Sequence, residues 1–182
     1  MRERDCNFTR DHNWFHYRVG AIIIEGDCVL MAGNEKMDYL YSVGGGVHMG
    51  ETAEEAVIRE VYEETGTHYE IERLVFIHEN FFQDAGTTEG MACHEISLYF
   101  LMKPRGSKVL NSESYCTEGK EFMHWIPLKE LANYKAYPDF FKEKLMNLPT
   151  HVEHIITKDI DMHNQSTNML QKAIASTPLI RF

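Results

Sequence analysis

The stretch GETAEEAVIREVYEETG, residues 50–66, predicts a helix with both of its ends marked. Thr52, followed three residues later by Glu55, has the pattern of a capping box, and acidic residues in the first turn suit the helix dipole. Gly66 suits the left-handed backbone conformation that ends many helices. The predicted helix therefore spans residues 53–65.

Three glutamates lie close together near the end of this helix, in a chain with a formal net charge of −10. At about 100° per residue, Glu60, Glu63 and Glu64 continue the apolar side of the helix, whereas Glu55 and Arg59 are expected to face solvent. A run of glutamates is usually a solvated face, but the angular position of these three residues argues against that interpretation.

Partly buried carboxylates in a cluster need protons or a cation. Two of them about 6 Å apart repel by roughly 3 kcal/mol at an effective dielectric of 20. Oxygen ligands of this kind suit Mg²⁺, with Mn²⁺ as a substitute. The preceding segment, VGGGVHMGE at residues 43–51, is rich in glycine and permits close backbone approach, so it can bring a carbonyl oxygen to the same ion.

The composition limits the class of protein. A length of 182 residues, 43% of them hydrophobic and 25% charged, fits one globular domain, or one domain with an appendage. The acidic balance argues against a nucleic-acid partner, and the chain has neither a run of eighteen apolar residues nor a secretory signal, so no membrane association is expected. Four widely spaced cysteines favour reduced thiols and a cytoplasmic location.

The remaining pattern predicts an α+β fold with a mixed β-sheet. A hairpin is expected within residues 14–33, with its turn at Gly26-Asp27. Further strands are expected at residues 40–43, 71–82, 94–103, 121–126 and 152–157, and helices near residues 127–133 and 138–148.

Three parts of the chain are distinguished on this basis. Residues 1–13 are expected to be irregular, and residues 14–158 to form the main domain. Residues 159–182 form a C-terminal extension of unknown role, for which a short helix, a homodimer contact and a disordered tail stay open.

The glycine segment and the helix together resemble the Nudix box of the Nudix hydrolases. Gly45, Glu51 and the stretch REVYEETGT at residues 59–67 have its spacing. Eight of nine specified positions match, and Thr67 stands where a bulky aliphatic residue is preferred. Similarity to the family extends over about residues 14–150. It implies an α/β/α sandwich and Mg²⁺-dependent attack of water on a nucleoside diphosphate linked to another moiety.

The resemblance also implies roles for individual residues. It places metal ligands at the carbonyl of Gly44 and at the three helix glutamates, Glu60, Glu63 and Glu64. Structural support of the site is implied for Gly45, Glu51, Arg59 and Gly66. Arg59 would orient a glutamate of the helix, with Glu63 in reach, and Glu51 would support the loop or a second metal.

The general base that activates the water is left open by the resemblance. It is either a helix glutamate, Glu60 or Glu64, or an acid from a downstream loop. A glutamate that already coordinates a cation is a poor base, because the cation lowers its proton affinity. This favours Glu118, with Glu121 second and Glu95 third.

The substrate is expected to be a small nucleotide, either a nucleoside triphosphate or an ADP-ribose-like compound, with dinucleoside polyphosphates as a further alternative. Phe81, Phe82, Tyr99 and Trp125 are candidates for stacking on a base, although aromatic residues more often belong to the core. Two alternatives from other function classes stay open: a binding module that senses a nucleotide without cleaving it, and a diphosphate isomerase of the same fold, for which Cys93 is the candidate cysteine.

Overall fold

The computed structural model describes residues 5–83, 90–113, 115–116 and 119–159. Eleven strands and two α-helices occur in this part of the chain. In chain order they are β1 (Asn7–Arg10), β2 (Asn13–Ile22), β3 (Ile24–Glu25), β4 (Cys28–Asn34), β5 (Leu40–Ser42), α1 (Ala53–Thr65), β6 (Ile71–Gln83), β7 (Ala92–Met102), β8 (Tyr115–Cys116), β9 (Gly119–Pro127), β10 (Ala136–Tyr137), α2 (Phe141–Lys144) and β11 (Glu153–Lys158). Two 3-10 helices, Leu128–Asn133 and Leu145–Asn147, flank β10 and α2.

The strands form two sheets. One has the order β1-β2-β7-β6-β11, and the other has the order β10-β5-β4-β9-β8 with β3 paired to β4. The β2–β7, β6–β11 and β5–β10 pairs are parallel and the remaining pairs are antiparallel. The predicted α+β class with a mixed sheet is therefore confirmed.

Helices pack on both sides of the sheets. On one side, Val57 and Val61 of α1 are fully buried against a cluster that includes Val19 of β2 and Phe100 of β7. Burial contributes about 2 kcal/mol for each of these valines. On the other side, Phe141 of α2 and both 3-10 helices pack on a second cluster. This layering is the expected α/β/α sandwich, with one long helix facing several short ones.

The local predictions around α1 and the first hairpin are confirmed. Helix α1 begins and ends where the pattern places it, both hydrogen bonds of the capping box are present, and Gly66 has a φ of 62°. In the hairpin, Glu25 pairs with Cys28 across Gly26-Asp27. Gly26 has a φ of 63°, a conformation that glycine adopts without steric cost.

Three expectations for secondary structure were wrong in part. The segment expected to be irregular, residues 1–13, contains β1, because Phe8 pairs with Phe15 of β2 and their rings stack at 5.3 Å. The segment between the strands expected at residues 94–103 and 121–126, for which no further strand was expected, contains β8, which pairs with β9. The two helices expected after β9 are a 3-10 helix and one turn of α-helix followed by a 3-10 turn.

The C-terminal extension lies outside the described residues except for Asp159. The backbone amide of Asp159 donates to the carbonyl of Phe81 and continues the pairing of β11 with β6. In the portion of the chain that the structure describes, none of the helices has the length and hydropathy needed to cross a bilayer.

Candidate active site

The glycine segment runs along the edge of β2. The amides of Val19 and Ala21 donate to the carbonyls of Gly45 and Val43, at 3.0 and 2.8 Å. Gly44 has a φ of 138°, and a Cβ at this position would lie 2.3 Å from the carbonyl oxygen of Val19. Only glycine fits this approach, which places the carbonyl of Gly44 at the sheet edge beside α1.

Glu64, in the last turn of α1, is buried with 7% of its surface exposed. Its Oε1 accepts a hydrogen bond from the amide of Gly44 at 3.0 Å. Its Oε2 is also buried and has no hydrogen-bond partner among the described residues. Burial raises the pKa of Glu64 well above its usual value, and the nearby charge of Glu121 raises it further. Glu64 therefore presents an oxygen suited to hold a proton or a cation.

Glu60 lies against the glycine segment one turn earlier. A Cβ at Gly45 would come within 2.5 Å of Glu60 Oε1, so glycine is required for the carboxylate to occupy this position. Burial raises the pKa of Glu60, although the guanidinium of Arg59, 2.6 Å away, opposes this shift.

Glu63 does not share this environment. The sequence predicts it on the inward side of the helix, but its side chain is 57% exposed. The position around the helix explains the difference. Glu63 lies two residues after the buried Val61, about 200° further around the helix axis, and so faces away from it. Glu64 lies three residues after Val61, about 300° further around, which is only about 60° from the direction of Val61. Glu63 still contacts Arg59, because Nη1 of Arg59 donates to Oε2 of Glu63 at 3.3 Å.

The expectation that Arg59 faces solvent was also wrong. Its side chain is only 20% exposed, and it donates from Nε and Nη2 to the two carboxylate oxygens of Glu51 at 2.8 and 2.9 Å. Nη2 also donates to the carbonyl of Gly46 at 3.0 Å. The bidentate pair holds the pKa of Glu51 at about 2. Arg59 thus ties the glycine segment to Glu51, Glu60 and Glu63.

The predicted metal ligands meet in part. Glu60, Glu64 and the Gly44 carbonyl lie at the same sheet edge, beside the glycine segment. The exposed side chain of Glu63 does not belong to this group. In residues 5–83, 90–113, 115–116 and 119–159, no group of three or more His, Cys, Asp or Glu side chains is arranged to hold a metal ion. The carboxylate oxygens instead bond to Arg59 and to the Gly44 amide. The unpartnered Oε2 of Glu64 and the Gly44 carbonyl are hard oxygen donors, which fit Mg²⁺ in chemical type.

Arg18 on β2 is a charged residue of the site that sequence reasoning missed. Its Nη2 donates to the Gly44 carbonyl at 3.3 Å, and its Nη1 lies 3.6 Å from Oε2 of the buried Glu95. Burial opposes ionisation of Glu95, but Arg18, His16 and Ser97 outweigh it and lower its pKa to about 2. The sequence offers one indication of this role: Arg18 is the single charged residue of the apolar stretch RVGAIII at residues 18–24.

The candidate bases occupy different places. Glu121 on β9 is buried, receives a hydrogen bond from the Tyr41 hydroxyl at 2.5 Å, and lies near enough to Glu64 to raise the pKa of that residue. Glu95 forms the ion pair with Arg18. Glu118 lies outside the described residues.

The aromatic candidates for substrate stacking are mostly engaged in packing. Tyr99 belongs to the core cluster beside Phe141, and its burial raises its pKa to about 12. Trp125 donates from its indole nitrogen to the Lys108 carbonyl at 2.9 Å. Phe81 stacks on His94, with 4.3 Å between the ring centroids, whereas Phe82 lies half-buried on the opposite face of β6.

The fold and the site define a class of protein, an α+β sandwich in which a capped helix places acidic side chains on a glycine-rich segment. A family model described as NUDIX domain matches residues 14–146, and the chain belongs to this Nudix family. The predicted family membership is therefore confirmed.

Individual relatives agree with this assignment. A MutT4 mutator-protein candidate of Mycobacterium tuberculosis (strain CDC 1551 / Oshkosh) is 30% identical over 95 residues, which are 52% of this chain and 35% of that protein. The chain thus spans about a third of the length of this relative. The crystal structure of a mutator MutT protein from Bacillus halodurans superposes with a TM-score of 0.59 at 20% identity, over 79% of this chain and 91% of the other. A NUDIX-family hydrolase from Clostridium perfringens gives a TM-score of 0.52 at 19% identity, over 69% and 91%.

Proposed function

We propose that this chain is a Mg²⁺-dependent pyrophosphohydrolase that cleaves a nucleoside diphosphate linked to another moiety. The expected substrates are a nucleoside triphosphate or an ADP-ribose-like compound. Membership of the Nudix family supports a hydrolase of this type. The observation that carries the proposal is the buried Glu64, bound through one oxygen to the Gly44 amide and unpartnered at the other among the described residues.

The residues suited to hold the ion are Glu60, Glu64 and the Gly44 carbonyl. Glu63, which the resemblance implies as a further ligand, is 57% exposed and contacts Arg59 instead. When bound, Mg²⁺ would polarise phosphoryl oxygens as a Lewis acid. The chain itself supplies positioning: Arg59 holds Glu60 beside the glycine segment, and its bidentate pair with Glu51 fixes the guanidinium. Mn²⁺ is the expected substitute because it accepts the same oxygen ligands.

Among the described acids outside α1, Glu121 is the best candidate for the general base. It is buried close to Glu64, and the Tyr41 hydroxyl holds its carboxylate in place. Glu95 is a weaker candidate, because a carboxylate with a pKa of about 2 has little affinity for a proton. Glu118 stays a candidate on the grounds of its position in the sequence.

The proposed substrate is a small molecule in the cytoplasm, and neither a nucleic acid nor a membrane is a proposed partner. Among the described residues, Cys6 and Cys28 form no disulfide, which fits a reducing compartment. A homodimer through residues 159–182 stays a proposal from the sequence.

The decisive experiment measures phosphate release from a panel of nucleoside triphosphates and sugar nucleotides, with and without Mg²⁺. Release that needs Mg²⁺ and is abolished in Glu64→Gln supports the proposal. Glu70→Gln is the matched control, because Glu70 is an exposed acid whose carboxylate pairs with the exposed Lys103. Nucleotide binding without any release would identify a sensing module instead. Conversion of an isoprenoid diphosphate that depends on Cys93 would identify an isomerase, although Cys93 is fully buried.

A further inference from the structure

A thiol and an amine that are far apart in the chain meet beside the turn of the first hairpin. Nζ of Lys108 donates a hydrogen bond to Sγ of Cys28 at 2.8 Å, across 80 residues of sequence. This distance lies within the range that is usual for an N–H···O hydrogen bond, although sulfur is a larger atom than oxygen. We name Cys28 and Lys108 the thiol–amine pair, and its two reactive atoms are in close contact.

The segment that carries Lys108 is fixed against the hairpin. The buried carboxylate of Glu25 accepts hydrogen bonds from the backbone amides of Arg105 and Gly106, at 2.6 and 2.9 Å. The carbonyl of Lys108 itself accepts a hydrogen bond from the indole nitrogen of Trp125 at 2.9 Å. The backbone of Lys108 is therefore held in place, unlike that of a lysine on an unrestrained surface loop.

The side chains of the pair are held as well. The ammonium of Lys108 lies 5.9 Å from the centre of the Trp125 ring, within the range of a cation–π contact. Cys28 is the first residue of β4, where it is paired with Glu25 on one side and with Pro127 on the other. Two reactive groups that are held at contact distance react as if at high concentration.

The position of the pair determines which reagents can reach it. Lys108 is exposed, whereas only 6% of the surface of Cys28 remains accessible to solvent. This limited access admits a small oxidant such as hydrogen peroxide and disfavours a disulfide with a second protein molecule.

The oxidation chemistry of cysteine supplies a reaction for this arrangement. The sulfur attacks one oxygen of hydrogen peroxide, which gives a sulfenic acid and one molecule of water. Sulfenic acids condense with nitrogen atoms that lie close to them. In that second step the Sγ–O bond breaks and an Sγ–Nζ bond forms. One proton of the ammonium leaves with the hydroxyl group as water and another passes to solvent, so the pair loses two electrons and the peroxide gains them.

We propose that Cys28 and Lys108 form a covalent Sγ–Nζ crosslink when the protein meets hydrogen peroxide. The crosslink joins residues 105–109 to the first hairpin. It restricts the unfolded chain as a disulfide does, and it therefore stabilises the folded state. The site is separate from the proposed hydrolysis and does not depend on it.

Mass spectrometry tests the crosslink directly. The reduced protein is treated with hydrogen peroxide, digested with a protease and compared with an untreated sample. We expect a linked product that joins Cys28 to Lys108, has the mass of the two reduced peptides less two hydrogen atoms, and is lost on treatment with dithiothreitol. Neither Cys28→Ser nor Lys108→Arg should give this product, because a guanidinium keeps the positive charge but is a poor nucleophile.

Cys6→Ser and Lys103→Arg are the matched controls, and both should form the crosslink as the wild type does. Cys6 is a more exposed cysteine than Cys28, and Lys103 is an exposed lysine that pairs with Glu70. Melting temperatures before treatment show whether each variant is folded. The proposal is overturned if peroxide leaves Cys28 unlinked to Lys108 in the folded wild type, or if the linked product persists in Lys108→Arg.

Thermal unfolding gives a second readout. After peroxide treatment, the wild type should melt roughly 5–10 °C above the identically treated Cys28→Ser variant, and dithiothreitol should remove the difference. The comparison with a treated variant accounts for oxidation of methionine, which occurs in both proteins. Equal melting temperatures for the two treated proteins would overturn the stabilising effect of the crosslink.

Discussion

The backbone amide of Gly44 donates to Oε1 of Glu64 at 3.0 Å, although twenty residues separate the two. This bond joins the glycine segment to the last turn of α1 and leaves Oε2 of Glu64 without a hydrogen-bond partner among the described residues. The carbonyl of the same glycine accepts from Arg18. Gly44 therefore lies between the proposed diphosphate site and the Arg18–Glu95 pair.

Mg²⁺ should stabilise the folded wild type, because an ion that binds only the folded state shifts the unfolding equilibrium. At a hundredfold excess over the dissociation constant, the expected rise in melting temperature is about 5–10 °C. Glu64→Gln should lose this shift while staying folded, and Glu63→Gln should lose less of it because Glu63 is exposed. Differential scanning fluorimetry with and without Mg²⁺ measures both. If the Mg²⁺-induced rise in melting temperature is undiminished in Glu64→Gln, Glu64 does not bind the ion and its role is structural.

Arg59→Ala should destabilise the protein by about 2–4 kcal/mol, because it leaves Glu51 and Glu60 partly buried without their cation. Arg59→Lys should recover only part of the loss, since an ammonium cannot replace the bidentate fork. Urea unfolding provides the measurement. The control is Lys135→Ala, which removes an exposed pair with Asp38 and should leave the midpoint unchanged. Equal midpoints for the Arg59 and Lys135 variants would contradict the prediction.

Gly45→Ala should lower the rate of diphosphate hydrolysis about a hundredfold, since its Cβ would displace the Glu60 carboxylate by clashing at 2.5 Å. Gly26→Ala is the contrasting change. It meets no neighbour within 4 Å but has a φ of 63°, so it should cost about 1 kcal/mol of stability and leave the rate intact. Steady-state kinetics and urea unfolding on both variants test this separation, which fails if Gly45→Ala keeps the wild-type rate.

Glu121→Gln should lower kcat about a hundred- to ten-thousand-fold while leaving the Mg²⁺-induced thermal shift in place, as expected for a general base. Tyr41→Phe should have a smaller effect of the same kind, because it removes only the hydroxyl that holds the carboxylate. Single-turnover hydrolysis beside Glu118→Gln and Glu60→Gln identifies the base. A near-normal rate for Glu121→Gln, with loss of turnover in one of the other two, would reassign the role.

The Arg18–Glu95 pair should make stability depend on pH in the acidic range. The folded-state pKa of Glu95 is about 2, below its ordinary value of 4.5, so its contribution is present above about pH 5 and is lost as the pH falls toward 2. The full contribution is about 3 kcal/mol, and about 2 kcal/mol of it should be lost at pH 3. Urea unfolding at these pH values should show a flatter profile for Glu95→Gln than for the wild type. Parallel profiles would show that the pair contributes nothing to acid sensitivity.

Local features of the chain were predictable because local sequence determines them. The limits of α1 follow from Thr52, Glu55 and Gly66, whose capping interactions involve only their near neighbours in the chain. The turn at Gly26-Asp27 follows from a glycine between two apolar runs, AIII at residues 21–24 and CVLM at residues 28–31. The buried position of Glu64 and the exposed position of Glu63 both follow from helical periodicity, because the two residues lie about 100° apart around the helix. The prediction that Glu63 lies on the inward side was wrong because it relied on the spacing from Glu60 alone.

Sequence by itself therefore determined the helix, its caps, the hairpin and the family pattern of the chain. Only the tertiary structure decided which distant side chains meet. Tyr41 reaches Glu121 across eighty residues, and Arg18 reaches both Gly44 and Glu95, contacts set by the pairing of β2 with β7 and of β4 with β5 and β9. The physical reason is that strand pairing and sheet packing depend on the burial of the whole chain, which no short stretch of sequence encodes.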